Sequence, residues 1–220
     1  MNKNGKYCLS AGFLFLVSFV VFTALIQIID VQQIGPMETD VGFANLNGWF
    51  HRFTGVNMLL YEVTDQLGII PVLICLFFGL VGFLQMIKRK SLFKVDTDII
   101  FLGFYYLLVI FLYFIFESVP INYRPILING FLETSYPSST ALLTASVMPT
   151  LVFQSERKIT DLKLIKIIKA FSIFFSSFMI IGRLVSGVHW FTDIIGAILL
   201  SIGLFHIYSA AVILYCKKEK

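Results

Sequence analysis

The sequence predicts an all-α, polytopic membrane protein of about six transmembrane helices. Three observations carry the prediction. Hydrophobic residues make up 58% of the 220, and charged residues only 14%, too few to give a soluble core of this size its polar skin. Apolar stretches near the bilayer-spanning length recur along the whole chain. Positive charge alternates between the segments that join them.

Residues 8–29 form the first run. It is too long for a signal-peptide core and has no small-residue cleavage site, so it reads as a retained span. Residues 67–87 form the second, with Gln85 as the strongly polar member, and residues 99–116 the third. Residues 138–153 are rich in Ser, Thr and Ala and carry Pro149, which is expected to kink a fourth helix. Small and hydroxylated residues suit a helix packed among helices rather than against lipid. Residues 166–181 open with Lys166 and Lys169, whose stems reach the headgroups, and residues 194–216 complete the set. One membrane domain over residues 1–220 follows, with no internal repeat.

With the N-terminus in the cytoplasm, the inside segments hold every one of the 17 basic residues except Arg52, Arg124 and Arg183. Both termini are therefore expected in the cytoplasm of a multi-pass cell-membrane protein. The net charge of +4 reflects this topology and does not indicate nucleic-acid binding. Cys8, Cys75 and Cys216 lie in or beside apolar runs without metal-ligand spacing and read as small hydrophobes. In the long first outside loop, Trp49, Phe53, Val56 and Leu60 recur at helical spacing, giving an amphipathic helix at the interface or a lid over it. His51 and Arg52 belong to that segment. His206, inside the last span, reads as a neutral imidazole bonded to a helix carbonyl.

Three polar clusters fall on the outer side. The first runs from Glu117 to Arg124 and Pro125, the second holds Tyr136, Pro137, Ser138, Ser139 and Thr140, and the third runs from Arg183 through Gly187 and His189 to Asp193. Guanidinium forks match phosphate oxygens bidentately. A helix opening at Pro137, Ser138 and Ser139 turns free amides toward an anion. His189 and Asp193 are four apart, on one face of a helix, where a carboxylate fixes the imidazole tautomer and raises the basicity of the other nitrogen. Together they describe an oxyanion site holding a potential nucleophile. Trp190 fits an aromatic belt or a substrate contact equally.

The order Arg-Pro, then Pro-Ser, then Arg-x5-His-x3-Asp resembles the type 2 phosphatidic acid phosphatase family, which shares its core with vanadium haloperoxidases. The resemblance covers about residues 67–216, with Gly187 and Gly196 at positions where that family usually has glycines. It implies that His189 attacks phosphorus to give a phosphohistidine, that Asp193 orients it, and that Arg124, Arg183 and Ser138 hold the phosphate, with Ser139 as a further donor. No cofactor is implied, and no carboxylate–His cluster beyond this set offers a metal site.

Two positions depart from the pattern. Glu117 stands where the first motif has Lys, and Thr140 stands where the second has the general-acid His. General-acid help is typically worth ~10²–10⁴ in rate, and a threonine hydroxyl cannot supply it near neutral pH. Glu117, Glu133 or His51 could stand in, or the substrate could be a lipid diphosphate, whose leaving phosphate needs less protonation. The expected function is hydrolysis of a lipid phosphate or an isoprenoid diphosphate at the outer leaflet. A non-catalytic headgroup binder or translocator, and a phosphotransferase, remain as alternatives. The lipid and the oligomeric state are not legible.

Overall fold

A computed structural model describes residues 3–216; Lys217, Lys218 and Lys220 of the expected inside charge lie outside the described residues. Among the described residues eight α-helices follow in order: α1 Lys3–Ile26, α2 Ala44–Thr54, α3 Met58–Leu67, α4 Ile69–Arg89, α5 Thr97–Ser118, α6 Ser139–Lys158, α7 Leu162–Val185 and α8 Phe191–Tyr215. A two-residue antiparallel ladder, β1 Gln32–Gln33 with β2 Asp40–Val41, closes the turn between α1 and α2.

Five stretches among the described residues are long and apolar enough to cross a membrane: α1, α3 with α4 as one continuous stretch, α5, α7 and α8. The expected fourth span, α6, is the exception in composition. Its 20 residues would reach about 30 Å, enough for the hydrocarbon core. It packs on α4, α5, α7 and α8 and buries Thr144, Ser146, Thr150, Gln154 and Ser155, so it meets protein where the others meet lipid. Its hydroxyls are used there: Tyr106 Oη lies 2.7 Å from Thr150 Oγ1, and Ser146 Oγ donates to Ser201 Oγ at 3.2 Å. The helix continues through Pro149.

α1 lies along α8, where Gly12 and Gly203 bring the two backbones close. At the end of the bundle away from the three polar clusters, Asp96 and Asp98 tie α4, α5 and α6 together. Arg89 reaches Asp96 at 2.6 Å, and Lys158 reaches Asp96 at 3.0 Å and Asp98 at 3.2 Å.

Three expectations need correction. The single amphipathic helix through Trp49 and Leu60 is two helices, α2 and α3, because Gly55 turns the chain at φ 63° and ψ −160°, a conformation open only to glycine. Trp49 and Phe53 are indeed exposed on α2. His206 stacks on Phe15 at 6.2 Å, and the expected bond to a helix carbonyl does not form at Nδ1, which has no hydrogen-bond partner among the described residues. Trp190 is buried; its Nε1 donates to the Tyr123 carbonyl at 2.7 Å, which makes it a tie between loops and not a belt residue.

Candidate active site

The polar clusters meet where the α5–α6 and α7–α8 loops converge on the α2–α3 elbow. Each loop is held by its own chemistry. The α5–α6 loop folds back on itself: the Arg124 amide donates to the Glu133 carbonyl at 3.0 Å and the Ser135 amide to the Asn122 carbonyl at 2.9 Å. Tyr136 anchors it to α1 through a 2.7 Å contact of its hydroxyl with Thr23 Oγ1. Its ring lies on Gly196, where any Cβ would come within 2.4 Å of it. The α7–α8 loop docks on the elbow: the Asn57 amide donates to the Ser186 carbonyl at 2.9 Å, and His51 Nε2 donates to the Gly187 carbonyl at 3.1 Å. Asn47 exchanges bonds with Thr192 at the start of α8.

Gly187 is the tightest point of this junction. Its φ is 71°, and a Cβ there would stand 1.9 Å from the Gly55 carbonyl oxygen. Left-handed backbone costs a non-glycine residue roughly 1–2 kcal/mol before any clash. Gly187→Ala is therefore expected to separate the loop from the elbow, lowering the melting temperature in detergent by several degrees and removing any activity. A variant as stable as wild type would contradict this packing.

His189 is not helical, contrary to expectation: α8 begins at Phe191, and Asp193 sits in its first turn. The pair still meets. Nδ1 of His189 lies 3.5 Å from Asp193 Oδ2, which also accepts from the Trp190 amide at 2.8 Å. Nε2 of His189 lies 3.2 Å from Arg183 Nη2. A guanidinium can only donate, so Nε2 carries the lone pair and the proton sits on Nδ1, on the Asp193 side, where it makes no hydrogen bond among the described residues. Burial holds the imidazole pKa well below the usual 6.5, and the charges of Arg124 and Arg183 push the same way; the Ser135 backbone opposes them without prevailing. His189 is thus a neutral imidazole with its lone-pair nitrogen facing a cation.

The two arginines bracket one ring. Tyr61 of α3 lies 4.8 Å from the Arg183 guanidinium and 5.7 Å from that of Arg124, both within cation–π range. Arg183 is buried and pairs with Asp65 at 3.4 Å; Arg124 pairs through Nε with Glu133 at 3.0 Å. Arg124 Nη1, Arg183 Nε and the fully buried Ser138 Oγ have no hydrogen-bond partner among the described residues. Unspent donors around two close cations suit an anion.

Ser138 precedes α6, and its amide is spent on the Asp193 carbonyl at 3.2 Å; Pro137 has no N–H, so the free first-turn amides begin at Ser139. Glu117 is exposed and lines, with Ser139 and His189, a narrow cleft. Thr140 faces elsewhere, into an apolar cavity of about 420 Å³ between α4, α5 and α6 that Asp65, Tyr106, Val109 and Leu143 also line. The cleft and the cavity share Tyr113, Ser139 and Leu142, so they adjoin.

The PAP2 superfamily model matches residues 100–215, which include all three clusters. The chain belongs to the PAP2 superfamily. Among solved structures, a transmembrane PAP2-type phosphatidylglycerolphosphate phosphatase from Bacillus subtilis aligns with a TM-score of 0.64 at 18% identity. The alignment covers 96% of this chain and 99% of that one, a likeness of fold. No curated protein matches the chain. Tyr61 and Asp65 were missed from sequence. Their signal was an aromatic and a carboxylate four apart on one helix face, masked by the reading of that segment as an interfacial helix.

Proposed function

We propose that this membrane PAP2 protein hydrolyses lipid phosphates, or isoprenoid diphosphates, through a phosphohistidine on the outer face of the membrane. The observation that carries the reading is the contact of His189 Nε2 with Arg183, backed by Asp193 on the other nitrogen. Arg124, Arg183, Ser138 and Ser139 bind the phosphate oxygens. His189 attacks phosphorus, Asp193 stabilises the imidazolium that forms, and water then releases phosphate. The outer-face assignment rests on the charge bias, which leaves Arg124 and Arg183 among the few outside cations.

The adjoining apolar cavity supports a substrate with a hydrocarbon tail. Purified protein is therefore expected to release phosphate from phosphatidate, phosphatidylglycerophosphate or an isoprenoid diphosphate at least about ten-fold faster than from glycerol phosphate. That ratio is about 1.4 kcal/mol, a small part of the burial energy of a tail at ~0.8 kcal/mol per CH₂. Failure on every lipid, in protein shown to be folded, would leave a headgroup binder as the better account.

A further inference from the structure

The helix α2 takes no part in the proposed chemistry, yet its position and its faces are specific. It lies across the site end of the bundle, at the level where one span ends and another begins. Phe43, at its start, packs on Phe22 near the end of α1 at 5.9 Å, and its amide donates to the Ile29 carbonyl at 2.9 Å. One turn on, Asn47 Nδ2 donates to Thr192 Oγ1 at 3.0 Å, and Phe50 packs on Phe191, the first residue of α8, at 5.3 Å. A helix tied to span ends at successive turns runs along the membrane surface and not through it.

Its circumference divides into three sectors. Ala44, Asn47 and Gly48 are buried against the bundle. At 100° per residue, Leu46, Trp49 and Phe53 fall within about 60° of one another. They are exposed, Trp49 by 56% and Phe53 by 76%, and those two rings stack at 5.8 Å. Asn45 and Arg52, also exposed, form the third sector beside them. Water suits the third sector and not the second. A lipid surface at the level of the span ends suits both, with acyl chains on one flank of the helix and headgroups on the other. Apolar exposure also continues into the neighbouring helices: Leu59 on α3 and Ile181 on α7 are exposed, and α3 packs on α7.

We propose that α2 is seated in the headgroup layer of the leaflet on the site side, and that this seat holds the α7–α8 loop in place. Leu46, Trp49 and Phe53 turn toward the acyl chains, and Arg52 toward lipid phosphates. The link to the loop comes from the protein-facing side of the helix. His51 Nε2 donates to the Gly187 carbonyl at 3.1 Å, and its ring centre lies 5.6 Å from that of Trp190, so His51 holds the loop on both sides of His189. A helix that loses its seat loosens these contacts. The proposal concerns lipid and loop, and it stands whether or not the site hydrolyses phosphate.

The test uses the two tryptophans of the chain, Trp49 and the buried Trp190. Full-length protein is placed in phosphatidylglycerol–phosphatidylcholine vesicles whose acyl chains carry bromine either near the headgroup or near the bilayer centre. The Trp49 signal is wild type less Trp49→Phe. It is expected to be quenched more by shallow than by deep bromine, and to resist iodide present on both sides of the membrane. Quenching by iodide and not by bromine would put this face in water. Shielding from both would mean that protein, such as a second copy, covers it, and stronger quenching by deep bromine would put the helix inside the hydrocarbon. Each of these three results overturns the proposal. For the loop, Trp49→Phe and the double variant Trp49→Ser with Phe53→Ser both leave Trp190 as the sole reporter. Its emission is expected to stay blue and resistant to acrylamide in the first, and to shift red and become quenchable in the second, at equal helix content by circular dichroism. Should the double variant lose helix content, Trp49→Ser alone carries the comparison. Identical Trp190 emission with and without the apolar face would show that the loop holds without the lipid seat, and would overturn the coupling.

Discussion

His189→Ala is expected to lower phosphate release by on the order of 10⁴-fold or more, because the group proposed to bond phosphorus is removed while the proposed clamp stays. The loss should be in kcat. Substrate affinity should hold, since Arg124, Ser138 and Ser139 keep their positions, and the loop is anchored through Gly187, Trp190 and Ser186 independently of the imidazole. The electrostatics add a second expectation. Since burial and the two arginines hold the His189 imidazole well below its usual 6.5, its ring should show no protonation step as the pH drops through 6.5. A ring titration near the ordinary histidine value would mean that the imidazole is less buried than described. Initial rates of wild type and His189→Ala check the first expectation, and an NMR titration of the His189 ring checks the second.

Arg183→Lys is expected to cost about 10²–10³ in kcat/KM while keeping the charge. One planar group here does three things. Nη1 meets Asp65, Nη2 meets His189, and the face lies on Tyr61. An ammonium is a point charge and cannot serve both ends of that fork or stack on the ring. The stability cost should be modest, because the carboxylate left behind at Asp65 is half-exposed and can be hydrated. Activity within ten-fold of wild type would show that charge alone suffices and that the bidentate geometry is incidental.

Most of the bundle was legible because the membrane simplifies the code: length, apolarity and alternating charge locate α1, α4, α5, α7 and α8 to within a few residues. α6 was visible as a segment, and its weak hydropathy is explained by burial among the other helices. The chemistry-bearing clusters were legible for a different reason. Arg124, Ser138, Arg183, His189 and Asp193 stand in short polar segments between long apolar runs, in an order and spacing that can be read directly. What sequence could not give was the third dimension around them. The break at Gly55 depends on a backbone conformation that no periodicity reveals. The His189–Asp193 contact forms across a loop into a helix start, and counting four residues along a helix reached it by the wrong geometry. Tyr61 and Asp65 come from a part of the chain some 120 residues before His189, brought to it by the docking of the elbow on the α7–α8 loop and by the packing of α3 on α7.

The central claim is that phosphorus passes through His189, and the stereochemical course at phosphorus tests it most directly. A lipid phosphorothioate made chiral at phosphorus with isotopic oxygen would be hydrolysed in heavy-oxygen water and the configuration of the released thiophosphate determined. Attack by His189 followed by attack of water inverts phosphorus twice, so overall retention is the expected result. Inversion would mean that water attacks the lipid phosphate in a single step, and the account of His189 as nucleophile would be wrong.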